Sequence, residues 1–164
     1  MKNDDILSFY ELLSRHEVKI PIIQRDYAQG RKTNEQICLN FLKVLKASIV
    51  YNVIINLDFV YGNIVNDVFQ PLDGQQRLTT LYLIHWYAFN KDSAAESEIR
   101  DLLLKFSYET RLSSRRFCEA LISHPIIIPD TEESLSNTIK NTEWFFISWN
   151  QEPTIRSMLN TIDN

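Results

Sequence analysis

The 164-residue sequence has few of the residues that mark disorder, with three glycines, five prolines and no repeated or low-complexity tract. This composition argues against long unstructured segments. The sequence also lacks a run of about 18 apolar residues, the length that spans a bilayer, and its N-terminus is acidic where a signal peptide is basic. We therefore expect a soluble, cytoplasmic protein that has no membrane partner.

Cysteine, histidine and net positive charge are scarce as well. Cys38 and Cys118 lack metal-ligand spacing, and we expect two reduced, buried thiols. The three histidines fall in unrelated contexts, and we expect His85 to be a buried, hydrogen-bonded side chain rather than a catalytic one. The net charge of −4 argues against bulk attraction to nucleic acid, although a local basic site is compatible with it.

What the sequence has is a 45% hydrophobic content whose periodicity changes along the chain. Alternating and β-branched runs predict strands over 18–23, 56–66 and 68–72, and Asn66 and Asp67 are the expected turn of a hairpin. Pro21 suggests that the first strand lies at a sheet edge, or that it starts there. Helical spacing predicts helices over 4–15, 34–52, 74–90 and 114–123, and another helix that ends at about residue 104. The C-terminal part is expected to be mainly helical.

Strands concentrated early and helices concentrated late predict an α+β fold. Apolar residues cover most of the circumference of the 74–90 helix, which predicts a central, buried helix. In the 34–52 helix we expect five residues to face inward, namely Ile37, Phe41, Leu42, Leu45 and Ile49. We divide the chain into a domain over residues 1–125 and a helical extension over 126–164 that leads into a further C-terminal region.

The most polar cluster, Asp73 to Arg77 in "PLDGQQRLTTL", stands at the mouth of this apolar helix. The first N–H groups of a helix lack intrahelical partners and attract anions. Gly74 allows close approach of the backbone to a ligand, Gln75 and Gln76 add neutral donors, and the Arg77 fork suits phosphate oxygens. Asp73 has two interpretations: it caps the helix, or it holds a divalent cation or a sugar hydroxyl.

Two further polar segments are candidates for the same chemistry. The loop "QRDYAQGR" follows the first predicted strand, and Tyr27 in it either stacks on a base or packs the loop down. The segment "YETRLSSRRF" is a basic island that either contacts phosphates, of a nucleotide or of DNA, or starts a helix with Ser113 as cap. Its arginines are Arg111, Arg115 and Arg116. Thr79 and Thr80 either offer hydroxyls to a ligand or satisfy backbone carbonyls.

These motifs carry a family resemblance. The string "PLDGQQRLTTL" resembles the DGQQR signature of the N-terminal domain of GmrSD-type modification-dependent restriction enzymes, a family related to ParB and sulfiredoxin folds. Upstream, "IPIIQRDYAQG" is similar to the family's I-P-x-x-Q-R-x-Y segment, and "FVYGNIV" is similar to its F-x-G-x-I element. "FSYETRLSSRRF" resembles a segment of one subgroup. The matching segments cover about residues 18 to 120, in the order and at the spacing of the family.

The resemblance implies a small mixed sheet of the ParB/sulfiredoxin type and a pocket for a nucleoside triphosphate with Mg²⁺, whether GTP, ATP or another. Hydrolysis there would be coupled to cleavage of foreign DNA in phage defence. Nucleotide contacts are expected from Gln24, Arg25, Tyr27, Gly74, Gln75, Arg77 and Thr80. Catalytic roles are expected for Asp73, Gln75, Gln76 and Arg77, with Asp73 also the metal ligand. DNA contacts are expected from Arg111, Arg115 and Arg116.

Two other functions remain open at this stage. The pocket could nick DNA directly, as in a ParB-like nuclease, or it could be a non-catalytic sensor that binds nucleotide and a protein partner. Full-length relatives usually add a helical region and an HNH-type nuclease domain, and the expected partners therefore include DNA and such a C-terminal domain or a partner subunit. The sequence contains no His-Asn-His pattern with the spacing of that nuclease.

Overall fold

The computed structural model describes residues 6–21, 26–57, 59–91, 97–109, 111–128 and 134–164. Within them the helices are α1 Phe9–Arg15, α2 Glu35–Tyr51, α3 Gln75–Lys91, α4 Ser97–Leu103, α5 Leu112–Ser123, α6 Leu135–Lys140 and α7 Pro153–Asp163. The strands are β1 Glu17–Ile20, β2 Gly62–Val65, β3 Val68–Pro71 and β4 Phe106–Tyr108. Two 3₁₀ turns, Lys32–Asn34 and Ile147–Gln151, precede α2 and α7. The predicted α+β class is confirmed.

The four strands form one small mixed sheet in the order β2-β3-β1-β4. β1 runs parallel to both of its neighbours, and β2 and β3 form the predicted antiparallel hairpin. Asn66 and Asp67 both have positive φ, at 50° and 62°, the conformation that a two-residue type I′ turn requires. The predicted hairpin and its turn are therefore confirmed.

The expectation for Pro21 is wrong, because β1 is an interior strand and Pro21 follows its last residue. The backbone N–H of Glu109 donates to the Ile20 carbonyl at 3.0 Å, the last ladder bond on that side. A proline just beyond this point removes no donor that the sheet needs. The end of the predicted strand, Ile22 and Ile23, lies outside the described residues.

Other helix details also differ from the prediction. The first helix begins at Phe9 because Ser8 and Glu11 form a capping box there. In α2, Ile37 and Ile49 are 62% and 72% exposed rather than inward, and the helix buries only Cys38 and Leu45. α5 begins at Leu112, so Ser113 lies inside the helix and is not its cap.

The core forms around α3, as predicted. Tyr82 stacks on Phe106 of the sheet with ring centroids 4.7 Å apart, and its hydroxyl donates to the Cys118 carbonyl at 2.8 Å. Trp86 donates its indole N–H to the Leu121 carbonyl at 2.9 Å, so each buried ring keeps a partner for its polar atom. Both cysteines are reduced and buried, and burial raises the pKa of each thiol.

The C-terminal helices join the same hydrophobic cluster. Ile155, Met158 and Leu159 of α7 are almost completely buried, and α7 packs against α3. The division at residues 125 and 126 stays a prediction, and the described side chains on both sides of it share one core. Over the described residues, no helix is both long enough and apolar enough to span a membrane.

Candidate functional site

Three parallel strands end at the same edge of the sheet. β3, β1 and β4 lie side by side, and each is followed by one of the polar segments that the sequence singled out. In sheets of this kind, ligands bind outside the carboxyl ends of the parallel strands. We call this region the carboxyl edge. Its described residues are Asp26–Arg31 after β1, Leu72–Arg77 after β3, and Glu109 and Arg111 after β4.

Gly74 shapes the start of α3. Its φ is +88°, a conformation that favours glycine, and a Cβ at this position would come within 2.6 Å of Val60 Cγ2. The Gly74 carbonyl accepts the first helical bond from the Leu78 N–H at 3.0 Å. Gly74 therefore occupies the cap position, and the interpretation of Asp73 as the helix cap is wrong. The Asp73 carboxylate is 60% exposed and its recorded ion pair is a 3.9 Å contact with Arg77.

Gln75 follows Gly74 as the first residue of α3. Only 9% of the residue is exposed. Among the described residues, no hydrogen bond of its side-chain amide is recorded, in contrast to Gln76 one residue later. This amide is not among the described polar atoms that are fully buried without a partner, since the one such atom is Nδ1 of His16. Gln75 thus offers a donor and an acceptor to whatever occupies the carboxyl edge.

Gln76 holds the loop after β1 against α3. Its amide oxygen accepts from the Ala28 N–H at 2.8 Å, and its amide nitrogen donates to the Asp26 carbonyl at 2.9 Å. These two bonds satisfy one backbone donor and one backbone acceptor of the loop, as pairing with a neighbouring strand would. The loop therefore faces α3, which brings together two of the polar segments that the sequence singled out.

Tyr27 anchors the same loop from inside the protein. Only 1% of it is exposed, and its hydroxyl lies 2.9 Å from Thr80 Oγ1 and 3.0 Å from Thr161 Oγ1. Burial raises the pKa of Tyr27 well above its usual value, so this phenol stays protonated. Of the two interpretations for Tyr27, the structure supports packing of the loop. Thr80 serves this network and also donates to the Gln76 carbonyl at 3.0 Å.

Arg77 connects α3 to the segment that precedes β2. Its guanidinium donates to the Phe59 carbonyl at 2.6 Å, and the side chain is 20% exposed. The Tyr61 carbonyl in turn accepts from the N–H groups of Leu72 and Asp73, at 2.8 and 3.1 Å. These bonds fix the polypeptide on the β2 side of the helix start.

An ion-pair cluster closes the opposite side, between the first loop, α5 and α7. Asp26 pairs with Arg111 and, at 3.2 Å, with Arg31. Arg111 also lies 3.8 Å from Glu152, whose other carboxylate oxygen accepts from the Ile155 N–H at the start of α7. The guanidinium of Arg111 is therefore engaged within the protein.

The other two arginines of the basic island differ from Arg111. Over the described residues no ion pair is recorded for Arg115 or Arg116, and Arg116 is exposed. Arg116 lines a shallow cavity of about 140 Å³ together with Ser113, Phe146 and Trp149, among others. The structure thus separates one internally paired arginine from two that face outward or lie half-buried.

One exposed carboxylate at the carboxyl edge, that of Asp73, is a candidate ligand for a metal ion that phosphate groups also bind. Within the described part of the chain, no group of three or more His, Cys, Asp or Glu side chains could hold a metal ion. Mg²⁺ in phosphate sites typically keeps several waters and takes only one or two carboxylates from the protein. The exposed Asp73 satisfies that lesser requirement. Gln24 and Arg25 lie outside the described residues.

Sequence reasoning missed Glu152 and Thr161 as parts of the edge's support. The dipeptide Glu152–Pro153 is a readable helix start, since a capping acceptor followed by proline at the first helical position is common. Nothing local marks Thr161, which meets Tyr27 across 134 positions of sequence.

Fold and site together define a class: a small α+β domain whose candidate site lies at the carboxyl ends of parallel strands, beside a glycine-capped helix. The family model described as the GmrSD restriction endonuclease, N-terminal domain, matches residues 9–164. The chain belongs to this family and is thus part of a restriction enzyme of that type. No curated protein and no solved structure matches it. The likeness to ParB and sulfiredoxin folds stays a prediction.

Proposed function

We propose that the carboxyl edge binds a nucleoside triphosphate with Mg²⁺ and hydrolyses it as part of DNA restriction. The observation that carries the proposal is the start of the 17-residue helix α3 at the carboxyl edge, where Gly74 at a φ of +88° is followed directly by Gln75 and, two residues later, by Arg77. The backbone N–H groups of the first turn of α3 face the same end of the helix and suit phosphate oxygens. Gly74 leaves the approach to them free of a side chain.

Each residue of the edge then has a distinct role. Arg77 neutralises charge on the phosphates, and Gln75 orients a water for attack. Asp73 would hold the metal ion, which supplies charge neutralisation on the phosphate oxygens when bound. Gln76 is a positioning residue in this scheme, because both ends of its amide hold the loop. Gln24 and Arg25 remain predicted contacts to the nucleotide.

The test measures thermal stabilisation and phosphate release with each nucleotide, with and without Mg²⁺. Gln75→Glu keeps the size of the side chain and adds a negative charge beside the phosphates. The affinity for nucleotide, measured from thermal stabilisation, should therefore fall at least about tenfold. The matched control is Gln36→Glu in the first turn of α2, where Gln36 is exposed. Wild-type stabilisation without phosphate release would favour the sensor function instead.

A second pair of variants tests the metal. Asp73→Asn should weaken the Mg²⁺ dependence of binding, whereas Asp67→Asn in the hairpin turn should leave it unchanged, because asparagine tolerates the positive φ at that position. Unchanged Mg²⁺ dependence in Asp73→Asn would remove Asp73 from the metal site. Nicking of plasmid DNA without any response to nucleotide would favour the nuclease function.

Contact with DNA is proposed for Arg115 and Arg116, and Arg111 takes a positioning role because Asp26 and Glu152 engage it. A protein–phosphate contact releases a counterion, so each arginine adds to the salt dependence of binding. Arg115→Ala with Arg116→Ala should weaken DNA binding and flatten its dependence on salt. The control is Lys43→Ala with Lys46→Ala on α2, which removes the same charge elsewhere. Equal loss in both variants would show a nonspecific charge effect.

A further inference from the structure

Within the part of the chain that the structure describes, one side of α2 is open to solvent. The helix contains 17 residues and buries only Cys38 and Leu45 against the rest of the protein. Large apolar side chains remain open to solvent along it, including Ile37 at 62%, Val44 at 50% and Tyr51 at 75% exposure. Single exposed apolar residues are ordinary, whereas a row of them along one element marks an interaction surface.

These residues form a regular seam. The positions alternate by four and three residues, the spacing of the contact positions in a coiled coil, and the members are Ile37, Phe41, Val44, Ser48 and Tyr51. At about 3.6 residues per turn, they lie in one stripe about a quarter turn from the buried Cys38 and Leu45, and the half-buried Phe41 and Ser48 lie on the side nearer to those two residues. The charged residues of α2, namely Glu35, Lys43 and Lys46, all lie off the stripe. We call these five residues the α2 seam.

We propose that the α2 seam docks a second copy of the chain, with the two α2 helices antiparallel about a two-fold axis near Val44. Two identical faces meet in such an interface, so a face that carries charge would repel itself. The α2 seam carries none. An antiparallel arrangement also places the small Ser48 beside the N-terminal half of the other helix, where Ile37 and Phe41 supply bulk.

The available area fits a reversible dimer. Val53 and Ile54, directly after the helix, extend the seam with exposures of 56% and 92%. Six apolar side chains at roughly 100 Å² each give about 600 Å², most of the ~800 Å² that each partner buries in a standard interface. We therefore expect association that depends on protein concentration rather than a permanent dimer. This inference does not depend on the proposed nucleotide function.

Sedimentation velocity of the 164-residue chain over a wide concentration range tests the proposal. The wild-type mass should rise from 19.3 kDa toward twice that value as concentration increases. Val44→Asp places a charge at the centre of the seam and should keep the chain monomeric. Val50→Asp is the matched control: Val50 is on the same helix and 62% exposed, but off the seam, and this variant should associate like the wild type.

A cross-linking experiment avoids any effect of a buried charge. Under mild oxidation Val44→Cys should form an intermolecular disulfide across the two-fold axis, and Val50→Cys should not. A wild-type chain that stays monomeric throughout overturns the proposal and leaves the seam to another partner, such as a helix of a different domain. Association of Val44→Asp equal to that of the wild type overturns it as well.

Discussion

At the residue scale, Gly74 concentrates two constraints at the start of α3. Its φ of +88° is unfavourable for any side chain, and a Cβ would also collide with Val60. We predict that Gly74→Ala lowers the free energy of unfolding by about 1–3 kcal/mol, the cost of a strained backbone position, as measured by urea denaturation.

The double variant Gly74→Ala with Val60→Ala separates the two causes. It removes the collision with the Val60 methyl groups but leaves the unfavourable φ. Compared with Val60→Ala alone, the glycine substitution should therefore still destabilise the protein, although by less than in the wild-type background. Equal stability of Val60→Ala and the double variant would show that backbone strain contributes nothing here.

At the element scale, Gln76 joins α3 to the loop after β1, which Tyr27 also anchors through Thr80 and Thr161. We predict that Gln76→Ala destabilises the protein by about 1–3 kcal/mol, because the Ala28 N–H and Asp26 carbonyl lose their partner. Hydrogen exchange tests the role of Gln76 more directly than overall stability does, because it measures protection at single amides. The Ala28 amide should exchange much faster in the variant, whereas amides in the centre of α3 should change only as far as global stability changes.

Gln36→Ala is the control for this variant. Gln36 lies on α2, is exposed, and donates to Asn40 at 2.9 Å on the same helix. Its removal should cost no more than a few tenths of a kcal/mol, as expected of a surface pair on a helix. If exchange at Ala28 is unchanged in Gln76→Ala, other contacts such as those of Tyr27 hold the loop without it.

Comparison of α3 with α2 shows what the sequence could predict about elements. α3 has apolar residues around most of its surface and a glycine before it, so its bounds and burial follow from local pattern, and the observed helix starts one residue later than predicted. α2 has apolar residues on two sides. Periodicity identifies such a helix but cannot say which side meets the core, and the predicted inward set therefore included the exposed Ile37 and Ile49.

The candidate site, like the two helices, could be predicted from the sequence only in part. Its helix start and loop could be recognised because turn chemistry and polar clustering are local properties of sequence. The separate roles of the individual residues could not be recognised from the sequence. That Gln76 holds a loop, and that Tyr27 points inward to Thr161, depends on contacts between distant segments. Adjacent identical residues gave no sequence signal to separate them.

At the scale of the whole molecule, α7 decides whether residues 126–164 are an extension or part of one folding unit. Met158 is fully buried on α7, within the same cluster as the residues of α1, α3 and the sheet. Small domains with one core usually unfold in a single transition. We predict that Met158→Ala lowers the free energy of unfolding by about 2–5 kcal/mol, the usual cost of such a truncation, and that the transition stays single.

Two probes make this prediction decisive. Hydrogen exchange at α7 reports the C-terminal part and hydrogen exchange at β1 reports the sheet, and in Met158→Ala the protection of both should be lost at lower denaturant by the same amount. Arg156→Ala, an exposed change on the same helix, should move neither. If α7 loses protection while β1 keeps wild-type protection, residues 126–164 unfold separately. The carboxyl edge would then depend on the C-terminal helices only through contacts such as Tyr27 with Thr161.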